Sequence, residues 1–185
     1  MKSYDYAHRQ GVLEISWEDF AHYAAKLAEM IFPLQPQIIL GIARAGLFPA
    51  TAVACWLQSE FYPVRITRRL NDQVVYTQPI WKVPVPDEVA GKIVVVVDEI
   101  ADTGETLAMV ANVARAKGAA KVFTACLASH TWANPMPDVV ALPSDAFIIF
   151  PWDRQRYLNQ SWQMTPEILA GLQAQSKDAS QSKNE

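Results

Sequence analysis

The chain is predicted to fold as an α/β domain with a central, mainly parallel sheet flanked by helices. Three observations carry that expectation. Residues 93–97 form an unbroken β-branched run, and a run without alternation suits a strand buried on both faces of a parallel sheet. Behind it, Leu107, Val110, Ala111 and Ala114 recur at helical spacing. Residues 37–67 repeat the strand–turn–helix–strand pattern, and alternation of this kind builds parallel sheets through right-handed crossovers. A small hood built from the carboxyl-terminal strands is expected to complete the domain.

Each element can be justified in order. Ser16-Trp17-Glu18-Asp19 fits a capping box, and Phe20, Ala24, Leu27 and Ile31 follow at helical spacing. Pro33 and Pro36 end this helix, because proline lacks the N–H that the ladder needs. Residues 37–40 read as a buried strand, 41–46 (GIARAG) as a turn, 47–57 as an apolar helix and 61–67 as a strand. The stretch 68–91 has three prolines and no sustained period; it is either a lid or an excursion of short strands. Gly118 suits the end of the helix behind the central strand. Residues 121–128 form the next buried strand, then comes the turn-rich SHTWANPMP, then short strands at 138–142 and 146–150. A short helix is expected near 166–172, and 174–185, poor in apolar residues, as a disordered tail. The domain would span 1–173, with its hood largely from 129–160.

Composition excludes several classes. With 185 residues, 51% of them hydrophobic, the chain can bury one sizeable core. No apolar run reaches the roughly 18 residues of a membrane span, and MKSYDYAHRQ lacks a signal peptide's apolar region. A cytoplasmic protein without a membrane partner is expected. The formal charge is -3 with no basic stripe, which argues against a nucleic-acid partner. Cys55 and Cys126 lie in apolar stretches without C-x-x-C spacing and read as reduced core residues.

The chemistry concentrates at the end of the central strand. Asp98 and Glu99 follow the valines, where open α/β sheets bind ligands. Asp102-Thr103-Gly104-Glu105-Thr106 then opens a helix, and free N–H groups at a helix N-terminus make an anion site. Carboxylates for a metal or diol beside a phosphate cradle suggest a sugar-phosphate ligand. Capping by Asp102 or Thr103 alone would leave the two adjacent acids unexplained.

The string VVVVDEIADTGET resembles the phosphoribosyl pyrophosphate (PRPP) signature of the type I phosphoribosyltransferases. The resemblance implies that fold, and PRPP contacts from Asp98, Glu99, Ile100, Ala101, Asp102, Thr103, Gly104, Glu105 and Thr106. It also implies Mg²⁺ held by Asp98 and Glu99, and a homo-oligomer, dimer or tetramer. GIARAG resembles the family's pyrophosphate loop, which often carries a cis non-proline peptide; the matching bond is Ala43–Arg44. Ala43, Arg44, Ala45 and Gly46 would bind pyrophosphate, Gly41 and Gly46 allowing close backbone approach. On residues alone, a glycine-bounded turn with a solvated arginine is an equal reading. The family also has a mobile loop where 68–91 lies, so Arg69, with Arg68 and Lys82, would reach pyrophosphate; a solvated basic edge is the competing reading.

The string PDVVALPSDAFIIFPWD is similar to the carboxyl-terminal part of 6-oxopurine phosphoribosyltransferases, most of all the bacterial xanthine-guanine enzymes. That implies Phe147 stacking on a purine, Ile148 meeting the base edge, and Asp153 near its two-position. The alternative is a half-buried hairpin with core aromatics. The family's lysine for the 6-oxo group is absent from Ala128-Ser129-His130-Thr131-Trp132, leaving His130 as the candidate donor. The implied reaction joins guanine, xanthine or hypoxanthine to PRPP in purine salvage, with Arg44 at the leaving group and Asp102 accepting the base proton. Another base, or a PRPP-sensing regulator of the same fold, is the alternative.

Overall fold

The computed structural model describes residues 9–70, 73–77 and 79–181, with the side chains of 69, 70, 73, 74 and 176–181 outside the described set. In chain order the elements are β1 (Val12–Glu14), α1 (Trp17–Ile31), β2 (Ile38–Ile42), α2 (Leu47–Leu57), β3 (Glu60–Thr67), β4 (Arg69–Leu70), β5 (Gln73–Val74) and β6 (Ile80–Val83). There follow β7 (Ile93–Ala101), α3 (Glu105–Ala116), β8 (Lys121–Ser129), β9 (Val139–Pro143), β10 (Phe147–Ile149), β11 (Gln155–Leu158), β12 (Ser161–Met164) and α4 (Pro166–Gln181).

The chain divides into two units, His22–Ser144 and Met1–Ala21 with Asp145–Glu185. The larger holds a six-stranded sheet in the order β6-β3-β2-β7-β8-β9. All neighbours are parallel except the edge pair β3–β6. The period of two in β7 explains why the valines do not alternate with polar residues. Val94 and Val96 pack with Leu107, Val110, Ala111 and Ala114 of α3. Val95 and Val97 pack on the other side, with Leu27, Ala28 and Ile31 of α1 and Ala50, Val53 and Ala54 of α2. Both faces are covered, and each Val, Leu or Ile side chain among them contributes about 1.5–3 kcal/mol on full burial.

Local chemistry sets the helix starts as expected. Asp19 N–H donates to Ser16 Oγ at 3.0 Å, and Ser16 N–H donates back to Asp19 Oδ2 at 2.9 Å, the reciprocal pattern of a capping box. The 68–91 stretch is an excursion of short strands. β4 and β5 make a two-stranded ribbon, and β6 returns antiparallel to β3. Val85 and Val89, both fully buried, anchor its return.

The smaller unit begins at Asp145 and includes the amino-terminal segment. There β1 pairs in parallel with β10, Val12 opposite Phe147 and Glu14 opposite Ile149. β11 and β12 form a hairpin whose turn residues, Asn159 and Gln160, both have positive φ (49° and 61°). The segment expected as a tail from 174 is helical to Gln181, because no proline or glycine follows Gly171 to stop α4; residues 182–185 lie outside the described set. In the larger unit, Cys126 is buried as expected, but Cys55 is exposed on α2.

Candidate active site

Asp98 and Glu99 lie within the last four residues of β7, which runs on through Ile100 to Ala101. Asp98 is 9% exposed rather than solvent-facing. Its Oδ1 accepts the Glu99 N–H at 2.9 Å. A Cβ on Gly46 would meet that same Oδ1 at 2.5 Å, so the turn after β2 rests directly on the acid. Burial raises the Asp98 carboxyl well above the usual carboxylate range, and the adjacent Glu99 charge and carboxyl contact raise it further. Burial also pushes the neighbouring Cys126 thiol up, with Asp98 adding to the effect.

The turn carrying Ala43, Arg44, Ala45 and Gly46 has a cis Ala43–Arg44 peptide. Ala43 N–H donates to Val64 O at 2.7 Å, which ties the turn to β3. Arg44 is exposed, while Gly46 is buried at the N-terminus of α2. Gly41 has a different task from the one expected. Its missing Cβ would meet Ala50, Phe61 and Leu47 at 2.8 to 3.0 Å, so it lets α2 pack on the sheet and does not serve ligand approach.

Ala101 is buried, Asp102 half-buried, and Thr103, Glu105 and Thr106 exposed at the start of α3. The N-cap is Gly104, with φ 81° and no side-chain cap bond. Asp102 is therefore not the cap. The first-turn N–H groups of α3 cannot be satisfied within the helix, and the two exposed threonine hydroxyls flank them. One of them, Glu105 N–H, donates to Thr103 Oγ1 at 3.4 Å; a helix start of this kind suits an anion. Arg68 stands beside it, 3.7 Å from Glu105. Lys82 lies over the Tyr76 ring at 5.8 Å. The side chain of Arg69 is outside the described residues.

His130 is not placed as an exposed donor. It is fully buried, with Nδ1 2.6 Å from Ser144 O and the Trp132 ring stacked on its face at 4.4 Å. In the smaller unit, Phe147 is 6% exposed and packs with Ile149, Ile168 and Leu172. Strand alternation puts Phe147 and Ile149 on one face of β10 against α4, which makes Phe147 a core ring rather than an open stacking face. Ile148 is buried on the opposite face, and Asp153 is exposed, its N–H donating to Phe150 O at 3.1 Å. Trp152 stacks on Phe150 (5.0 Å, 5°) and meets Phe20 edge-on.

Residues 13–154 match the phosphoribosyl transferase domain family. The chain belongs to that family. Among solved structures, a purine phosphoribosyltransferase from Pyrococcus horikoshii is 28% identical, with a TM-score of 0.69 over 76% of this chain and 93% of that one. A xanthine-guanine-hypoxanthine phosphoribosyltransferase from Helicobacter pylori is 20% identical, with a TM-score of 0.59 over 76% and 92%. A hypothetical protein from Neisseria gonorrhoeae with bound ppGpp is 21% identical, with a TM-score of 0.67 over 92% and 99%. The parallel sheet and its flanking helices are the type I phosphoribosyltransferase fold, and the protein is a phosphoribosyltransferase enzyme.

Within the larger unit, the two acids, the turn after β2 and the start of α3 thus lie around the end of β7. No described helix is long and apolar enough to cross a membrane. Among the described residues no three His, Cys, Asp or Glu side chains gather as a metal cage. Mg²⁺ does not need one, because it takes one or two carboxylates together with substrate phosphates. Asp98 and Glu99 bring two carboxyls into contact, and their mutual repulsion is what a divalent cation would offset. The pair fits the ion. Sequence reasoning missed Trp132, whose indole Nε1–H donates to Asp102 Oδ1 at 3.2 Å. The available signal was an aromatic N–H donor in a polar turn directly after a core strand.

Proposed function

We propose that this enzyme transfers the phosphoribosyl group of PRPP to a purine base, giving a nucleoside 5′-monophosphate and pyrophosphate. The observation that carries the reading is that two candidate phosphate sites adjoin one strand: the Ala43–Gly46 turn rests on Asp98, and β7 leads from Asp98 to residues 102–106. The cradle takes the 5′-phosphate on the N–H groups of α3 and the hydroxyls of Thr103 and Thr106. Glu99 and Asp98 take the ribose hydroxyls, and Arg44 faces the departing pyrophosphate. Asp102 accepts the base proton as the new C–N bond forms. Mg²⁺, held by Asp98 and Glu99, would supply charge neutralisation for the diphosphate.

The purine assignment is supported by the 28% identity to the Pyrococcus purine enzyme and by the Pro151-Trp152-Asp153 string. Guanine, xanthine and hypoxanthine are the candidates, with no 6-oxo donor assigned to the buried His130. The same reading puts the enzyme in purine salvage in the cytoplasm, as a homo-oligomer without a nucleic-acid partner. The test is a screen with PRPP, Mg²⁺ and each free base, followed by nucleotide formation. Turnover of a 6-oxopurine supports the proposal. Turnover of only adenine or orotate would replace the base, and PRPP binding without turnover of any base would make the protein a sensor.

A further inference from the structure

The stretch SHTWANP, a turn-rich link between strands, grips the 101–104 loop at four successive residues. His130 N–H donates to Ala101 O at 3.2 Å, and Asn134 N–H donates to Thr103 O at 2.9 Å. A Cβ on Gly104 would run into Pro135 O, so the two loops touch backbone to backbone. Between these contacts, the Trp132 indole N–H donates to Asp102 Oδ1.

The ring beneath that indole has a defined state. His130 is fully buried, and its Nδ1 lies 2.6 Å from Ser144 O. A carbonyl oxygen only accepts, so Nδ1 carries the hydrogen and the tautomer is set. Nε2 then faces Asp102 Oδ1 at 3.9 Å. Trp132 stacks on this immobilised imidazole with an interplanar angle of 16°, which fixes where its Nε1–H points. Trp132 itself is 40% exposed. Filling the core does not account for an indole placed there, whereas aiming one N–H at one carboxylate oxygen does.

We infer that Trp132, seated on His130, is a positioning residue that holds the Asp102 carboxylate in the orientation needed to accept the base proton. The inference rests on the phosphoribosyl-transfer reading for what Asp102 does. The contact itself stands without that reading. Placement matters because an acceptor misplaced by about 1 Å can lose roughly 100-fold in rate.

Two measurements test it. Trp132→Phe keeps the stack and deletes the N–H. Its kcat should fall about 10- to 100-fold, the worth of one hydrogen bond to a charged group, with the Kd for PRPP within about twofold of wild type. In ¹H–¹⁵N spectra of the substrate-free protein, the indole signal lost in Trp132→Phe identifies Trp132 among the six tryptophans. That signal should move in Asp102→Ala while the other five hold. An indole signal indifferent to Asp102→Ala overturns the contact. A responsive signal with unchanged kcat in folded Trp132→Phe overturns the positioning role and leaves Trp132 a cover for His130. A wild type that turns over no base sinks the transferase reading alone, and the spectra still decide whether Trp132 holds Asp102.

Discussion

The end of β7 in the larger unit and strand β10 in the smaller one carry the two halves of the family resemblance, and they behave differently. Around the end of β7, several residues singled out for chemistry are open to solvent: Thr103, Glu105 and Thr106 exposed at a helix start, Arg44 exposed on a turn. On β10, the residue singled out for stacking is buried in a core with Ile149, Ile168 and Leu172. The difference lies in what each motif uses. A phosphate cradle is made of backbone N–H groups, and its glycine is demanded by geometry that nothing else in a core requires. An aromatic ring on a strand satisfies a core and a base pocket equally well, so the letter Phe does not distinguish them.

The largest effects should come from one substitution on each side of this contrast. Asp102→Asn removes the proton acceptor while keeping an oxygen for the Trp132 N–H. Turnover should fall about 100- to 10,000-fold with PRPP affinity nearly unchanged. Wild-type single-turnover rates in the folded variant would show that Asp102 does no proton chemistry. Phe147→Ala should instead cost about 3–5 kcal/mol in denaturant unfolding and weaken both substrates together, as for any truncated core ring. If its stability held and only the KM for the base rose, Phe147 would be a pocket residue and the contrast would collapse.

The same distinction explains what could be read from the sequence. The parallel sheet was legible because the valines of β7 are covered on both faces, and the α1 start because Ser16 and Asp19 are three residues apart. The turn at 43–46 and the helix start at 102–106 were legible as motifs of fixed spacing. Strand β1 was not, because three residues gain their partner, Phe147–Ile149, only from the far end of the chain. The β11–β12 hairpin was missed because its turn uses Asn159-Gln160 at positive φ, where glycine is the usual signal. The burial of Asp98 was hidden for a related reason: it depends on Gly46 settling over it from another element. Trp132 was passed over because its partner lies 30 residues away, across two strand ends.

Two glycines sharpen the comparison within the larger unit. Gly41→Ala drives a methyl against Ala50, Phe61 and Leu47, and Gly46→Ala drives one against Asp98 and Ile42 O. Overpacking at either site should cost about 1–3 kcal/mol. Only Gly46→Ala should also raise the Kd for pyrophosphate, because its strain falls on the turn and on Asp98. Equal losses of pyrophosphate binding in both variants would mean that the turn cannot be perturbed separately from the sheet.

The smallest effect concerns Asp98, where site and core coincide. Burial, then the Glu99 charge and contact, hold its carboxyl well above the value of 3.8 it has when free. In the metal-free protein, the folded chain therefore keeps a proton that the unfolded chain has released. The resulting stabilisation is complete below the free value and declines as pH rises through the raised folded value, at no more than about 1.4 kcal/mol per pH unit for one proton. Asp98→Asn cannot ionise, yet its side-chain oxygen can still accept the Glu99 N–H. Its stability should lose this descending limb, so that the variant overtakes wild type at alkaline pH while remaining poor in PRPP use. Denaturant titrations from about pH 4 upward, with a chelator present, would measure both slopes. Parallel curves would mean that Asp98 is ionised in the folded state and that the acid beneath Gly46 belongs to the solvent-facing site after all.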